Sequence, residues 1–280
     1  MSSLESSFLD GLFDDLEKDK LVLPTLPEVA LKVRDTLEDD NSSMMDVARV
    51  ITNDAALSAR LIQISNSPLL RASRQIETVE AAVTRMGSNM VRNLVTSIAM
   101  EQMFQATSDA TDKRLREVWE TSTQIAAIAS ALSSPHPNLQ ADQALLAGLV
   151  HDIGTLPILS RAEDYPDLLD DEAALDRIIA SAHVKIGEAI LRAWNFSEEL
   201  VKVAAEHEDL QRSHDGPPDY VDVVIAANLQ NAFGTDTPYG KVDWNTVPAF
   251  EKLGMDTEVS EVDMDEANAE IEAVKTALAG

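Results

Sequence analysis

The spacing of apolar residues is the feature that most constrains how this chain can fold. In residues 23–39, Val29, Val33 and Leu37 recur at intervals of four, which places them on one face of an α-helix. Similar stripes continue along most of the sequence, and no segment alternates apolar and polar residues for long enough to indicate a strand. The sequence therefore predicts an all-α protein.

Helix boundary signals divide the first part of the chain into five helices. Ser43 and Thr78 suit N-cap positions, and Gly87 suits the end of a helix. The polar stretch 105–113 interrupts the apolar periodicity and marks an internal boundary. The pattern predicts a five-helix N-terminal lobe, residues 20–105, packed against a second helical lobe.

The rest of the chain is divided in the same way. The second lobe, residues 114–235, has predicted helices at 114–132, 142–152, 172–194, 198–208 and 219–233, and a break near Ser181 is left open. Residues 1–19 are an N-terminal extension, and residues 236–280 form an acidic C-terminal tail. The tail contains a predicted helix, Val259 to Leu278, whose imperfect apolar stripe should dock on the body or on a partner.

Composition limits the classes of function. The chain has 280 residues with 45% hydrophobic content and no cysteine, so any metal has to bind to His, Asp or Glu. No basic leader and no run of about 18 apolar residues is present, which predicts a soluble cytoplasmic protein. The formal charge of −27 disfavours nucleic acid and membrane as partners and favours proteins. Alternatively, the acidic surface only secures solubility or reflects a salty habitat.

Six polar residues fall on the apolar faces of helices in the second lobe. They are Thr121, His151, Asp152, His183, His207 and Asn228. Each of them alone is more typical of a core polar group that has found a hydrogen-bond partner. Together they resemble the convergent polar groups with which helical proteins build metal or cofactor sites. We therefore expect them to line one shared pocket.

Several strings resemble a known family. His151-Asp152-Ile153-Gly154 is similar to the motif of the HD superfamily of metal-dependent phosphohydrolases. The strings LPTLPEVALKV, ITNDAALSARLIQISNSP and IETVEAAVTRMGSNMVRNLV resemble, in order and spacing, segments of HDOD domains, and AHVKIGEAILRAWNFSEELVKVAAEH continues the resemblance. It covers about residues 20–235, and it implies a two-lobed helical bundle whose second lobe is HD-like.

The resemblance also implies an incomplete metal site. Active HD phosphohydrolases hold their metal with an earlier histidine, the His-Asp pair and a distal aspartate, and here Thr121 and Asn228 stand at the first and last of these positions. A hydroxyl and an amide lack the charge and donor strength of imidazole and carboxylate. We expect no catalytic residue and no cofactor, although His151, Asp152, His183 and His207 leave residual divalent metal binding open.

A related branch of the superfamily cleaves cyclic dinucleotides and has further histidines, which His183 and His207 resemble in position. However, Thr155 replaces the lysine that follows its motif, and the Gly-Tyr-Pro ending of its signature is missing after His214. The leading hypothesis is thus a bacterial signal-transduction module, a pseudoenzyme that binds a signalling protein or small ligand. The alternatives are a metal-dependent phosphohydrolase acting on nucleotides or cyclic dinucleotides, and an acidic scaffold acting through its tail.

Overall fold

The computed structural model describes residues 2–66, 75–105, 109–255, 272, 275 and 276. The helices are α1 (Ser3–Glu17), α2 (Glu28–Glu38), α3 (Met44–Thr52), α4 (Ala55–Ser65), α5 (Val79–Met100), α6 (Asp109–Ser133), α7 (Ala141–Val150), α8 (Thr155–Ala162), α9 (Pro166–Leu169), α10 (Glu172–Ala193), α11 (Glu198–Glu206), α12 (Tyr220–Asn231) and α13 (Pro248–Lys252). The described residues contain no strand. The prediction of an all-α fold is confirmed.

Side-chain caps begin the helices of the first lobe where the sequence predicts them. Ser43 and Asp46 form a capping box at the start of α3, and the Thr78 side chain accepts a hydrogen bond from the backbone N–H of Ala81 at the start of α5. Gly87 has a positive φ of 76° and breaks the helical path inside α5. Because that conformation is costly for a residue with a Cβ, the glycine sets the direction of the second half of the helix.

Two apolar cores share a wall made of two helices. One core lies among α2, α3, α4 and α5, and the other is built from α1 and the helices from α6 onwards. Helices α6 and α7 contribute to both: Ala126 and Leu145 belong to the first core, while Ile125 and Leu146 belong to the second. The two lobes therefore pack against each other through helices that are apolar on opposite faces.

The structure differs from the predicted boundaries at two places in the second lobe. Helix α6 starts at Asp109, inside the polar stretch 105–113, where Asp112 pairs with Arg116 one turn later. Helix α10 passes Ser181 without a break, because the Ser181 hydroxyl donates a 2.7 Å hydrogen bond to the carbonyl of Arg177 in the preceding turn.

Both ends of the chain contribute to the second core. Helix α1, which lies in the segment treated as an extension, buries Phe8 and Leu12 and pairs Glu5 with Arg177 of α10 at 3.0 Å. After α12 the chain buries Trp244 and Phe250, so the first part of the segment treated as a tail packs on the body. The apolar stripe predicted for the tail helix lies outside the described residues.

Among the described residues, one segment is long and apolar enough to cross a membrane by length and composition alone. It is Ala141–Ala162; its most apolar stretch of 18 residues has a mean hydropathy of 1.2, and 83% of that stretch is buried inside the protein. The segment comprises α7, a turn and α8. Such burial is what the core of a soluble protein shows.

Two glycines allow backbones to approach closely around α7. A Cβ on Gly148 would lie 2.4 Å from the Cα of Ala126 in α6. A Cβ on Gly154, in the turn after α7, would lie 1.9 Å from the carbonyl oxygen of His183 in α10. No side chain fits at either position unless the helices move apart.

We therefore expect Gly148→Ala and Gly154→Ala to lower the free energy of unfolding by about 3 kcal/mol or more, at the upper end of overpacking effects. Chemical denaturation measures this. Gly187→Ala is the matched control, because its new methyl group would lie 3.3 Å from the Cβ of Ala204, a tight contact but with a side chain and not with a backbone, so its loss should be smaller. Equal losses of stability for Gly187→Ala and Gly154→Ala would contradict this account of the packing.

Candidate metal centre

Three histidines from three helices meet in the second lobe. His151 caps the C-terminus of α7, His183 lies in the middle of α10, and His207 caps the C-terminus of α11. The ring centroids of His151 and His207 are 5.0 Å apart, and those of His183 and His207 are 5.3 Å apart. Each histidine is at most 2% exposed. The helices thus place three imidazoles around one buried point.

Backbone carbonyls orient all three rings in the same way. The Nδ1 atoms lie 2.7 Å from the carbonyl of Gly148, 2.8 Å from that of Ile179 and 3.0 Å from that of Val203. Because a carbonyl oxygen only accepts hydrogen bonds, each Nδ1 carries the hydrogen, and the Nε2 of each neutral ring presents a lone pair. Metal-binding histidines are commonly held in this way.

The Asp152 carboxylate lies where these nitrogens converge. Its Oδ1 is 3.4 Å from Nε2 of His183 and 3.3 Å from Nε2 of His207, and its Oδ2 is 3.4 Å from Nε2 of His151. The Nε2 atoms of His183 and His207 are 3.3 Å apart. Two lone pairs facing each other at this distance repel unless a cation or a proton lies between them.

These separations fit donors to a metal ion, in two groups of three that share His207: one contains His151 and Asp152, and the other contains His183 and Glu208. A metal bound at about 2.0–2.1 Å by four donors gives donor–donor distances of about 3.3–3.4 Å, whereas a charge-assisted hydrogen bond is about 2.7–2.9 Å. Three imidazole nitrogens and a carboxylate are also ligands that zinc and other divalent transition metals prefer. The residues present therefore fit a divalent transition-metal ion.

Burial and charge set the protonation states of the centre. Burial lowers the pKa of His151 to about 4, so its ring is neutral at neutral pH. Burial would raise the pKa of Asp152, but the adjacent His151 and His207 outweigh it and hold that pKa far below its usual value. Burial would lower the pKa of His207, but Asp152 outweighs it and raises that pKa. A proton on His207 is therefore the competitor of a metal ion.

Two further groups border the centre. Glu208 Oε1 lies 3.5 Å from Nε2 of His183. Burial, with Glu208 and Asp152 nearby, raises the pKa of Tyr239, and the Tyr239 side chain hydrogen-bonds Glu208. Tyr239 was missed in the sequence because it lies far along the chain from the histidines, in the segment treated as a tail, and no motif surrounds it.

The other two predicted pocket residues, Thr121 and Asn228, do not join the histidines. Thr121 is exposed, because the buried face of α6 at this turn carries Ser122 and Ile125. The expectation that Thr121 faces a shared pocket is corrected accordingly. Asn228 is half-buried on α12, and among the described contacts no hydrogen bond joins its side chain to the histidines. The structure thus brings together His151, Asp152, His183 and His207.

A second cluster of His and Asp residues nearby is an ion-pair network. His214, Asp219 and Asp222 could hold a metal by proximity alone, but the Arg212 guanidinium lies among them, 2.6 Å from Asp219 and 3.2 Å from Asp222. His214 Nε2 is 2.8 Å from Asp222. This network ties the loop after α11 to the N-terminus of α12.

Comparisons with known proteins agree with this fold. The model of the HDOD domain family matches residues 23–210. A Shewanella amazonensis SB2B protein with the provisional name metal-dependent phosphohydrolase has a crystal structure with a TM-score of 0.86 and 34% identity, covering 99% of this chain and 100% of that one. An HDOD domain protein of unknown function from Geobacter sulfurreducens has a TM-score of 0.66 and 22% identity, with coverage of 99% and 96%.

An uncharacterised protein of Treponema pallidum (strain Nichols) is 25% identical over 246 residues, which is 81% of this chain. The match spans 46% of that relative, so the chain corresponds to about half of its length. The similarity therefore concerns a part of that larger protein.

We expect the purified chain to bind one divalent transition-metal ion and His207→Ala to lose that binding. Removing His207 leaves two imidazoles and one carboxylate. Metal analysis measures how much metal each protein contains, and the zinc-dependent shift of the melting temperature measures its binding. His136→Ala is the matched control, because His136 lies in the loop between α6 and α7. Equal zinc shifts in both variants would mean that zinc binds without His207, and no metal in the wild type would mean that a proton on His207 holds the centre together.

Proposed function

Because the chain belongs to the HDOD family, we propose that it is a regulatory module that acts by binding, with a histidine centre that holds a metal ion without catalysing hydrolysis. The family supports a regulatory or HD-related role, and the donor geometry supports the metal. We expect it to work in the bacterial cytoplasm on a signalling protein or a small ligand. Its charge of −27 disfavours nucleic acid and anionic membranes.

One observation carries the proposal that no substrate is turned over. Helix α6 contains no histidine, and Asn228 of α12 stands where the resemblance places an aspartate, so two of the four donors of active HD phosphohydrolases have no counterpart here. An amide lacks the charge and donor strength of a carboxylate. A metal held by the remaining histidines and Asp152 would mainly join the helices that carry them.

Access and charge support the same proposal. The three rings are almost fully buried, and Asp152, whose side chain is 31% exposed, is the open member of the set. Glu208 and Tyr239 lie beside it, and neither is a cation that would neutralise a phosphate. A phosphohydrolase stabilises the charge of the transferring group with cations.

A metal bound here would contribute mainly to packing. A divalent ion can act as a Lewis acid when a coordination position is open. Held by the histidines and Asp152, it would join α7, α10 and α11, whose segments carry these residues. Mass action would then stabilise the fold by about 2.7 kcal/mol at a metal concentration a hundredfold above the dissociation constant.

The alternative function is a metal-dependent phosphohydrolase. The retained His151-Asp152 pair and the provisional name of the Shewanella relative favour it. Against it, α6 contains no histidine and Asn228 stands where the resemblance places an aspartate. Without an imidazole and a carboxylate at these positions, a metal would be bound less tightly than in an enzyme that kept both ligands.

With zinc or manganese in the buffer, we expect the wild type to hydrolyse bis(p-nitrophenyl) phosphate no faster than His207→Ala, which lacks a metal ligand. The missing histidine and aspartate ligands give the physical reason, and release of p-nitrophenolate measures the rate. His136→Ala again serves as the control. Hydrolysis by the wild type and His136→Ala that disappears in His207→Ala would establish an enzyme and overturn the regulatory proposal.

A further inference from the structure

A cavity of about 280 Å³ lies between the two lobes, away from the histidines. Helices α2 and α5 of the first lobe form one side of it. Helices α7 and α11 and the turn at 195–197 form the other. We call it the interlobe cleft. Its volume is near the lower end of the range for small-molecule sites, about 300–1,000 Å³.

Arg92 of α5 lines this cleft with an unsatisfied cation. Its Nε atom is buried and has no hydrogen-bond partner, and no ion pair of Arg92 exists among the described residues. Elsewhere in this acidic chain arginines find carboxylates, as Arg161 does with Asp15 and Arg177 with Glu5. The residue as a whole is half-buried, but its Nε–H group has lost contact with water without gaining a partner, which costs free energy.

Two carboxylates line the cleft, Glu38 and Glu199; both are exposed, and neither pairs with Arg92 among the described residues. Asp142 accepts a 2.7 Å hydrogen bond from Asn93, and Glu199 accepts a 2.8 Å hydrogen bond from Gln143. Asp142 and Glu199 therefore accept hydrogen bonds from neutral amides and not from Arg92, whose guanidinium is available to another acceptor.

A second guanidinium and an apolar surface complete the cleft. Arg34 of α2 donates a 3.0 Å hydrogen bond to the carbonyl of Trp194 and lies 3.9 Å from Asp35. Its side chain is 28% exposed, so its remaining N–H groups are accessible. Leu26, Phe196 and Leu200 provide apolar contacts. Two cations beside apolar side chains suit a small organic anion.

We infer that the interlobe cleft binds a small organic anion, whose carboxylate or phosphate pairs with Arg92 and Arg34 while its apolar part contacts Phe196. Carboxylate and phosphate share the geometry that a guanidinium recognises. The inference names the ligand class for the regulatory module proposed above and rests on that proposal.

A ligand in the cleft would contact the chain segments that carry the three histidines. Helix α7 carries Gln143 at the cleft and ends at His151, and α11 carries Glu199 at the cleft and ends at His207. Helix α10, which carries His183, is followed by Phe196 in the cleft. A ligand in the cleft therefore contacts all three chain segments that supply imidazoles.

The test compares Arg92→Gln with Arg85→Gln, an exposed arginine two turns earlier in α5. The probes are inorganic phosphate, AMP and acetate, added to chelator-treated protein at constant ionic strength. Melting temperatures and calorimetric titration measure binding. Without a probe, Arg92→Gln should melt no lower than the wild type, because it removes a buried Nε–H group that has no partner; Arg85→Gln should melt like the wild type.

With the preferred probe, the wild type and Arg85→Gln should melt higher, and Arg92→Gln should bind at least tenfold more weakly. Phosphate or AMP binding without acetate binding identifies a phosphate ligand, and the reverse identifies a carboxylate. No shift with any probe, equal binding by both variants, or a lower melting temperature of Arg92→Gln without a probe would overturn the inference. Metal content measured on the same samples decides the metal proposal separately.

Discussion

The turn after α7 lies directly against the backbone of α10, and the geometry of the metal centre depends on this contact. Gly154 has no room for a side chain, because a Cβ would meet the carbonyl of His183. The contact brings the neighbouring His151 and Asp152 up to His183. One turn further along α10, Gly187 lies near Ala204 of α11, and this small pair lets α11 bring in His207. Close packing of small residues thus determines where the donors meet.

The electrostatics of the centre follow from the same packing. Helices α7 and α11 both end at the centre, and the C-terminal ends of helices carry partial negative charge. Their last carbonyls also hold the Nδ1 atoms of His151 and His207, which turns the Nε2 lone pairs inward. Asp152 adds a full negative charge. Everything that faces this point is therefore an electron donor, and the arrangement is stable only with a cation or a proton at its centre.

In the interlobe cleft the charge imbalance is reversed, because a cation there lacks an acceptor. Arg92 is a cation without an acceptor in a chain that has 49 acidic and 22 basic residues. Since α7 and α11 run from the cleft to the histidines, a change in lobe packing at one end would alter ligand geometry at the other. By thermodynamic linkage, an anion that changes metal affinity would have its own affinity changed by the metal to the same degree. The fold can therefore connect two small-ligand sites through rigid helices.

The sequence by itself determined the all-α class and most of the longer helices, the caps at Ser43 and Thr78 and the strings that identify the family, because these depend on residues close together in the chain. Helices α1, α8, α9 and α13 were not predicted from it. It also selected His151, Asp152, His183 and His207 as candidates. Only the tertiary structure decided that their donor atoms converge at metal-binding distances, that Thr121 is exposed and that Tyr239 borders the site. These depend on helix rotation and on contacts between distant segments. A rotation of one residue changes which side chain is buried, and apolar periodicity alone does not specify helix rotation that finely.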